Sequence, residues 1–209
     1  MSKIRKAYDV WSESYDSDIN KTRDLEAIAL KNALQGMKFD ECLEIGCGTG
    51  KNTIFLSGIA KHVTAVDFSE KMISVASEKI KSDNVIFVKA DINNNWDFAE
   101  RKYDLITFSL VLEHIKETDE ILRKASVVSD THGYLYIGEL HPFRQYSGVK
   151  ARFDNKDGRH VLECYVHNVS DFTNAGIRSG YQVLKIDEFS DNDDKKEMPR
   201  ILSILFQKN

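Results

Sequence analysis

Two short stretches of this chain carry more chemistry than folding alone requires. LEIGCGTG, Leu43 to Gly50, sets Gly46, Gly48 and Gly50 behind a carboxylate at Glu44. ELHPFRQYSG, Glu139 to Gly148, follows an apolar run with a carboxylate, an imidazole, a guanidinium, an amide and a phenol. Glycines lack a Cβ, so the first stretch lets backbone approach a ligand closely. Asp67 stands 21 positions after Gly46, where a carboxylate can accept both hydroxyls of a ribose. This pairing fits any nucleoside-bearing cofactor. A dinucleotide fingerprint would want its third glycine at position 51, which is Lys51. Glu44 is awkward beside a pyrophosphate and useful beside a cation.

The elements around these residues alternate. KFDECLEI reads as a strand that enters the glycine loop, and TIFLSGIA as the helical run after it. HVTAV is a β-branched strand ending at Asp67, and Ser69 is placed to cap a helix with Met72, Ile73, Ala76 and Ile80 on one face. VIFVKA ends at Asp91, and DLITFSLVL ends near Glu113 and His114. Thr118 is the expected cap of a helix buried through Ile121, Leu122, Ala125 and Val128, and YLYIG then delivers the second stretch. Strands separated by helices of this length imply a parallel sheet. Beyond residue 148, ARFD and HVLECYVH predict a hairpin turning at Asp157-Gly158, followed by a short helix capped by Ser170. YQVLKIDEFS and RILSILFQ lie too close for a helical crossover and should pair antiparallel. Residues 1–38 read as helical and outside the alternating core.

The bulk numbers narrow the function classes. With 209 residues, 42% hydrophobic and 30% charged, the chain suits one α/β domain with a real core. A net charge of -4 argues against a nucleic-acid surface. Cys42, Cys47 and Cys164 form no CxxC pair, a usage that fits reduced thiols. No signal peptide and no apolar run of spanning length is visible, so the expectation is a cytoplasmic protein without membrane or nucleic-acid partners, a monomer or homodimer.

Taken in order, E-x-G-x-G-x-G, V-x-A-x-D and K-A-D-I resemble the class I S-adenosylmethionine-dependent methyltransferases over roughly residues 40 to 140. The resemblance implies a Rossmann-like, mostly parallel seven-stranded sheet with helices on both faces and an antiparallel last strand. It also implies roles. Gly46, Gly48 and Gly50 would lie under the methionine part of the cofactor, with Glu44 and the small Cys47 in the same loop. Asp67 would bind the ribose, and Phe68 and Met72 would pack on the adenine. Asp91 and Ile92 would read the adenine edge, and Ser109 and Leu110 would contact the amino acid moiety through backbone. The N-terminal Tyr8, Trp11 and Tyr15 follow 3-4 spacing and are similar to a lid helix in small-molecule members, with Tyr15 chosen as the contact. S-adenosylhomocysteine would be the product.

Methyl transfer from a sulfonium is an in-line displacement, in which positioning and exclusion of water supply most of the rate. A base helps a hydroxyl or a protonated amine, whereas a carboxylate acceptor needs none. His141 is the first candidate, stiffened by Pro142, and His114 the second. Arg144, Tyr146, Arg152, Tyr165 and His167 belong to a predicted substrate-cap insert, residues 141–169. Arg144 and Arg152 raise the hypothesis of an acidic acceptor. Strand alternation puts His160 and Cys164 on one side of the hairpin and His167 on the other, so no metal is expected. The predicted function is metal-independent methyl transfer to an O or N atom of a small metabolite. The alternatives are a nicotinamide-dependent oxidoreductase, which would need a Tyr-x-x-x-Lys pair, or a non-catalytic binder of the cofactor.

Overall fold

Strands whose two faces are both apolar must be covered on both sides, and this chain covers them with helices. The computed structural model describes residues 3–12, 14–155, 158–192 and 197–209. The chain begins with α1 (Lys3–Trp11) and α2 (Lys21–Ala33), then β1 (Phe39–Ile45), α3 (Thr53–Leu56), β2 (Ala60–Asp67), α4 (Glu70–Lys79) and β3 (Val85–Lys89). It continues through β4 (Tyr103–Ser109), a 3₁₀ turn (Leu112–His114), α5 (Thr118–Val128), β5 (Ser129–Leu140) and α6 (Pro142–Tyr146). A hairpin of β6 (Arg152–Asn155) and β7 (Gly158–Val161) precedes α7 (Val169–Arg178), β8 (Tyr181–Phe189) and β9 (Ile201–Lys208).

Seven strands form one sheet in the order β3-β2-β1-β4-β5-β9-β8, and β6-β7 form a separate small one. Neighbours from β3 to β5 pair parallel, while β9 pairs antiparallel with both β5 and β8. This is the Rossmann-like sheet that the alternation and the resemblance predict, with its antiparallel last strand. The order matters for function. From β1 the chain steps outward to β2 on one side and β4 on the other, so a crevice opens at the carboxyl ends of β1 and β4.

Alternate residues feed two cores. Leu43, Ile45, Ile106, Phe108 and Ile137 pack with Ile121, Leu122 and Ala125 of α5 and Phe172 of α7. On the other face Cys42, Leu105 and Tyr136 meet Leu30 and Leu34 from α2 and the residue just past its end. The expected N-terminal lid therefore divides. α2 belongs to the sheet's cover, with Leu30 at 0% exposure, and only α1 with the turn after it lies over the crevice. Trp11 of α1 packs with Met72, Phe153 and Leu162, stacking on Phe153 at 5.0 Å between centroids.

Local expectations hold in part. Ser69 caps α4, its Oγ accepting from the Met72 amide at 3.2 Å. Thr118 does not cap α5; Glu117 takes that position without a side-chain bond, and Thr118 is helical and buried. Ser170 lies inside α7, whose cap is Asn168, with its amide donating to Asp171 at 2.7 Å. β3 ends at Lys89 rather than Asp91, because Asp91 Oδ1 draws the Asn93 amide into a turn at 3.0 Å. The second hairpin strand is shorter than HVLECYVH. After Val161 the chain leaves the ladder, and the Tyr165 amide donates to the Glu113 carbonyl at 2.7 Å. Asp157 of the predicted turn lies outside the described residues.

Candidate active site

Four successive strand ends converge on the crevice and enclose a cavity of about 170 Å³. The loop after β1 supplies Gly46 and Gly48, the end of β2 supplies Asp67 and Phe68, and the segment after β3 supplies Asp91 and Ile92. The end of β4 supplies Ser109 and Leu110, while Tyr15 and His114 close the rim. Gly46 has φ +73°, and a Cβ there would sit 2.2 Å from Val111 Cγ2. Only glycine fits that crossing, so the cavity floor is bare backbone.

Asp67 is set by its own backbone. Its Oδ2 accepts from the Gly48 amide at 3.0 Å and its Oδ1 from the Ser69 amide at 2.8 Å. Burial raises its pKa to about 6, against the opposing pull of these amides. Each carboxylate oxygen keeps a second lone pair, enough to receive two vicinal hydroxyls. A carboxylate so placed, over a floor that a Cβ would fill, fits the ribose end of a nucleoside cofactor. Asp91 Oδ1 is taken by Asn93, through backbone and side-chain amides at 3.0 and 2.9 Å.

Four residues predicted to touch cofactor stand behind this wall instead. Glu44 is buried and accepts from Thr53 Oγ1 at 2.5 Å, with burial raising its pKa to about 8. Cys47 is buried in the core against α2 and α3. Gly50 faces α4, where a Cβ would meet Ile80 Cδ1 at 2.5 Å. Met72 is fully buried beneath Trp11. None of the four lines the cavity: Cys47 and Gly50 lie on the far side of the loop, Glu44 on β1 and Met72 on α4.

A second cavity, of about 280 Å³, adjoins the first, and Tyr8, Tyr15 and Leu110 line both. Leu110 takes a left-handed backbone at φ +57°, a conformation that costs a branched residue on the order of 1 kcal/mol. Its amide donates to the Gly138 carbonyl at 2.8 Å, which holds the partition in place. Five cationic residues line this second cavity: Lys21, Arg23, Lys150, Arg152 and Arg200. Arg23 lies 4.5 Å over the Tyr15 ring and donates to the Asp18 carbonyl at 2.7 Å. Arg200 pairs with Asp191 and reaches Thr22 Oγ1 at 3.2 Å. Among the described residues, the one carboxylate in this lining is Glu113.

The second stretch, ELHPFRQYSG, has a different part from the one its composition predicts. His141 is 1% exposed and lines neither cavity. Its Nδ1 accepts from the Phe143 amide at 3.2 Å as the cap of α6, and its Nε2 meets Glu188 Oε1 at 2.8 Å. The end of β5 abuts β9, one strand away from the crevice, so the imidazole is structural. Arg144 turns to the Met198 carbonyl at 2.9 Å and to Asp191 at 3.6 Å. Tyr146 is exposed and hydrogen-bonds Asn168. Tyr165 and His167 line neither cavity, and His167 Nε2 donates to the Ile115 carbonyl at 2.7 Å. Of the predicted substrate residues Arg152 alone lines the second cavity. Glu139, by contrast, positions the site: its carboxylate accepts from the amides of Val111, Leu112 and Glu113 at 2.9, 2.7 and 3.3 Å. It thereby caps the 3₁₀ turn that carries Glu113 and His114.

His114 keeps its place at the cofactor cavity, with both nitrogens engaged. Nε2 meets Tyr8 Oη at 2.8 Å and Nδ1 meets the Glu163 carbonyl at 3.0 Å. The second contact requires a proton on Nδ1, so Nε2 accepts from the phenol. Glu113, His114 and Cys164 gather within 4.8 Å among the described residues, a trio the hairpin alternation did not foresee. Its closest approaches come from opposite ring nitrogens, Glu113 to Nε2 at 3.9 Å and Cys164 to Nδ1 at 4.0 Å. Burial holds the thiol up at about 12. A protonated thiol and an imidazole spent on both sides suit a hydrogen-bonded cluster better than a cation.

Tyr8, Glu113, Lys21, Arg23 and Arg200 escape the sequence reading as site residues. Tyr8 had a signal in its spacing with Trp11 and Tyr15. Glu113 had one in its place beside His114, whereas Lys21 and Arg23 on α2 and Arg200 before β9 have nothing periodic to join them.

Residues 43–137 match the family model described as a methyltransferase domain. The chain is 30% identical over 166 residues to a malonyl-[acyl-carrier protein] O-methyltransferase of Bacillus anthracis, an alignment covering 73% of this chain and 61% of that protein. The chain thus spans about three fifths of that curated relative's length. Its fold is similar to the solved DhpI–SAH complex, with TM-score 0.77 and 22% identity over 99% and 95% of the two chains. It is also similar to an S-adenosylmethionine-dependent methyltransferase of Clostridium acetobutylicum, with TM-score 0.70 and 19% identity over 96% of each chain. The glycine floor, the Asp67 carboxylate and the strand order agree with these likenesses: residues 43–137 form a methyltransferase domain, on the fold of the S-adenosylmethionine-dependent methyltransferases.

Proposed function

We propose that this protein transfers a methyl group from S-adenosylmethionine to an O or N atom of a small acidic metabolite, without a metal. The observation that carries the reading is the pair of adjoining cavities. One has a backbone floor and a carboxylate suited to a nucleoside, and the other has a cationic lining. Among the described residues, Tyr8, Tyr15 and Leu110 line both, so a donor in the first and an acceptor in the second would meet across one partition. Gly46 and Gly48 would lie under the methionine part of the cofactor, Asp67 would hold the ribose, and Asp91 and Ile92 would meet the adenine.

The chain's part in the reaction is mostly placement. The cofactor brings an activated methyl, and the protein supplies alignment and a dry path for an in-line displacement. The Tyr8–His114 hydrogen bond and the Trp11–Phe153 stack hold α1 over the cavity, where it would shield the reacting atoms from water. Arg152 and Lys21 would attract the acid through charge-assisted hydrogen bonds. The relative's name, malonyl-[acyl-carrier protein] O-methyltransferase, supports an acidic acceptor. Calorimetry tests the first half: S-adenosylmethionine should bind and NADH should not. Release of S-adenosylhomocysteine with a metabolite extract tests the second, and binding without release would leave only a cofactor-binding protein.

A further inference from the structure

The cationic cavity contains one residue of the wrong sign for an acid. Glu113 is 5% exposed, yet it is part of the lining, and its Oε2 has no hydrogen-bond partner. A buried carboxylate oxygen left without a donor costs roughly 1–3 kcal/mol or more, so its presence in a binding cavity points to a ligand that supplies the missing donor. Its position is fixed from behind. The Glu113 amide donates to Glu139 Oε2 at 3.3 Å and its carbonyl accepts from Tyr165 at 2.7 Å. These bonds fix the backbone from which the Glu113 side chain projects.

Around it, the charged and titratable neighbours are His114, Cys164, Glu139 and Tyr8. His114 is committed to Tyr8 and to the Glu163 carbonyl, and the Cys164 thiol hydrogen-bonds the Glu113 carboxylate without cancelling its charge, so neither supplies a counter-charge. Tyr8, one of the three residues shared with the cofactor cavity, is among these neighbours. The arrangement is therefore bipolar: Lys21 and Arg152 would serve a negative group, and Glu113 a proton-bearing one. A simple dianion would be repelled at the Glu113 end.

We infer that Glu113 is a catalytic residue that binds and deprotonates the methyl-accepting nitrogen of a zwitterionic substrate, a small amine that also carries an anionic group. This rests on the transfer reading above and narrows its acceptor atom. The ammonium gives one proton to the Glu113 carboxylate and becomes a neutral amine. Its lone pair then forms the N–C bond as the methyl carbon's bond to sulfur breaks, with that electron pair staying on sulfur. The products are a methylammonium and the thioether, and the proton held by Glu113 passes to solvent as they leave. Each turnover releases one proton. Burial raises the Glu113 pKa above the ordinary carboxylate value, which strengthens it as a base toward an amine.

The test uses the full chain with S-adenosylmethionine carrying a deuterated methyl group and a cell metabolite extract, with labelled products identified by mass spectrometry. The expected product bears its label on nitrogen and retains an anionic group. A labelled ester or ether overturns the inference while leaving the transfer reading intact. No labelled product from a protein that binds S-adenosylmethionine overturns both. The isolated N-methyl product should bind the S-adenosylhomocysteine-loaded Glu113→Gln variant at least about tenfold more weakly than wild type. That variant should turn over about a hundredfold more slowly, with cofactor affinity unchanged. Equal product binding and equal turnover in wild type and variant overturn the assignment. Glu113→Asp, which keeps the carboxylate, should recover part of the loss, and the product-identity arm uses wild type and does not depend on either variant folding.

Discussion

The two cavities share a wall and are built in opposite ways. The cofactor cavity rests on consecutive strand ends of one parallel sheet, where hydrogen bonds fix every backbone position. The second cavity is collected from α1, the turn and helix after it, the 3₁₀ turn, the hairpin and the residue before β9. Sheet register places the first, and packing places the second. Single substitutions should accordingly be severe and specific in the cofactor cavity, and graded in the other.

The sharpest break would come from Asp67→Ala. It removes the carboxylate that holds the Gly48 and Ser69 amides and the proposed ribose contact. Affinity for S-adenosylmethionine should fall about a hundredfold, or roughly 2.7 kcal/mol, by calorimetry. An unchanged affinity would mean the nucleoside lies elsewhere. Next in size is Arg152→Ala in the second cavity. The acceptor's KM should rise about tenfold, the share of one partly exposed ion pair in a cluster of cations. Cofactor affinity should not move, and a loss there would dissolve the division between the cavities.

A smaller effect tests the corrected histidine. His141→Ala should leave methyl transfer within twofold of wild type, a margin of about 0.4 kcal/mol. It should lower the melting temperature by the loss of a helix cap, about 1 kcal/mol. A large drop in turnover at unchanged stability would return His141 to the chemistry.

The smallest effect is a slope. Burial raises Glu44 to about 8 from its ordinary 4.5, so the unfolded chain releases that proton first as pH rises. The native state therefore keeps the benefit of the protonated acid below about pH 4.5 and loses it progressively as pH rises toward 8. Glu44→Gln can still accept from Thr53 and does not titrate. Its melting temperature should exceed that of wild type at pH 8, and the gap should close by pH 5. A gap independent of pH would show that Glu44 is ionised in the native state.

Much of the fold was legible because its signals are short-ranged. The strand run ending at Asp67 and the Ser69 cap depend on neighbours within a few positions, and they stand where the pattern predicts; the fourth strand stops at Ser109, short of the predicted Glu113, where the chain enters the 3₁₀ turn. Gly46 and Gly48 were legible for the same reason, since a backbone crossing needs glycine whatever surrounds it. The misplacements also have a common origin. Thr118 and Ser170 are good caps by composition, but their helices start where packing of α5 and α7 sets them. Cys164 and His167 looked like strand neighbours, but the chain leaves the hairpin to bond with the 3₁₀ turn. His141, Arg144 and Tyr146 follow the right strand, yet β9 and β8 occupy the space beside its end.

By itself the sequence determined the succession of strands along the chain, the glycine loop and the carboxylate that completes a nucleoside site. Each is a matter of local backbone geometry or of periodicity along one element. The tertiary structure alone decided which side chains face the acceptor. Residues 8, 21, 113, 152 and 200 meet because a switch in strand order, an antiparallel final strand and a folded-over first helix bring their elements to one point. Nothing in the spacing of those residues records that meeting, since it depends on how surfaces pack rather than on what lies next along the chain.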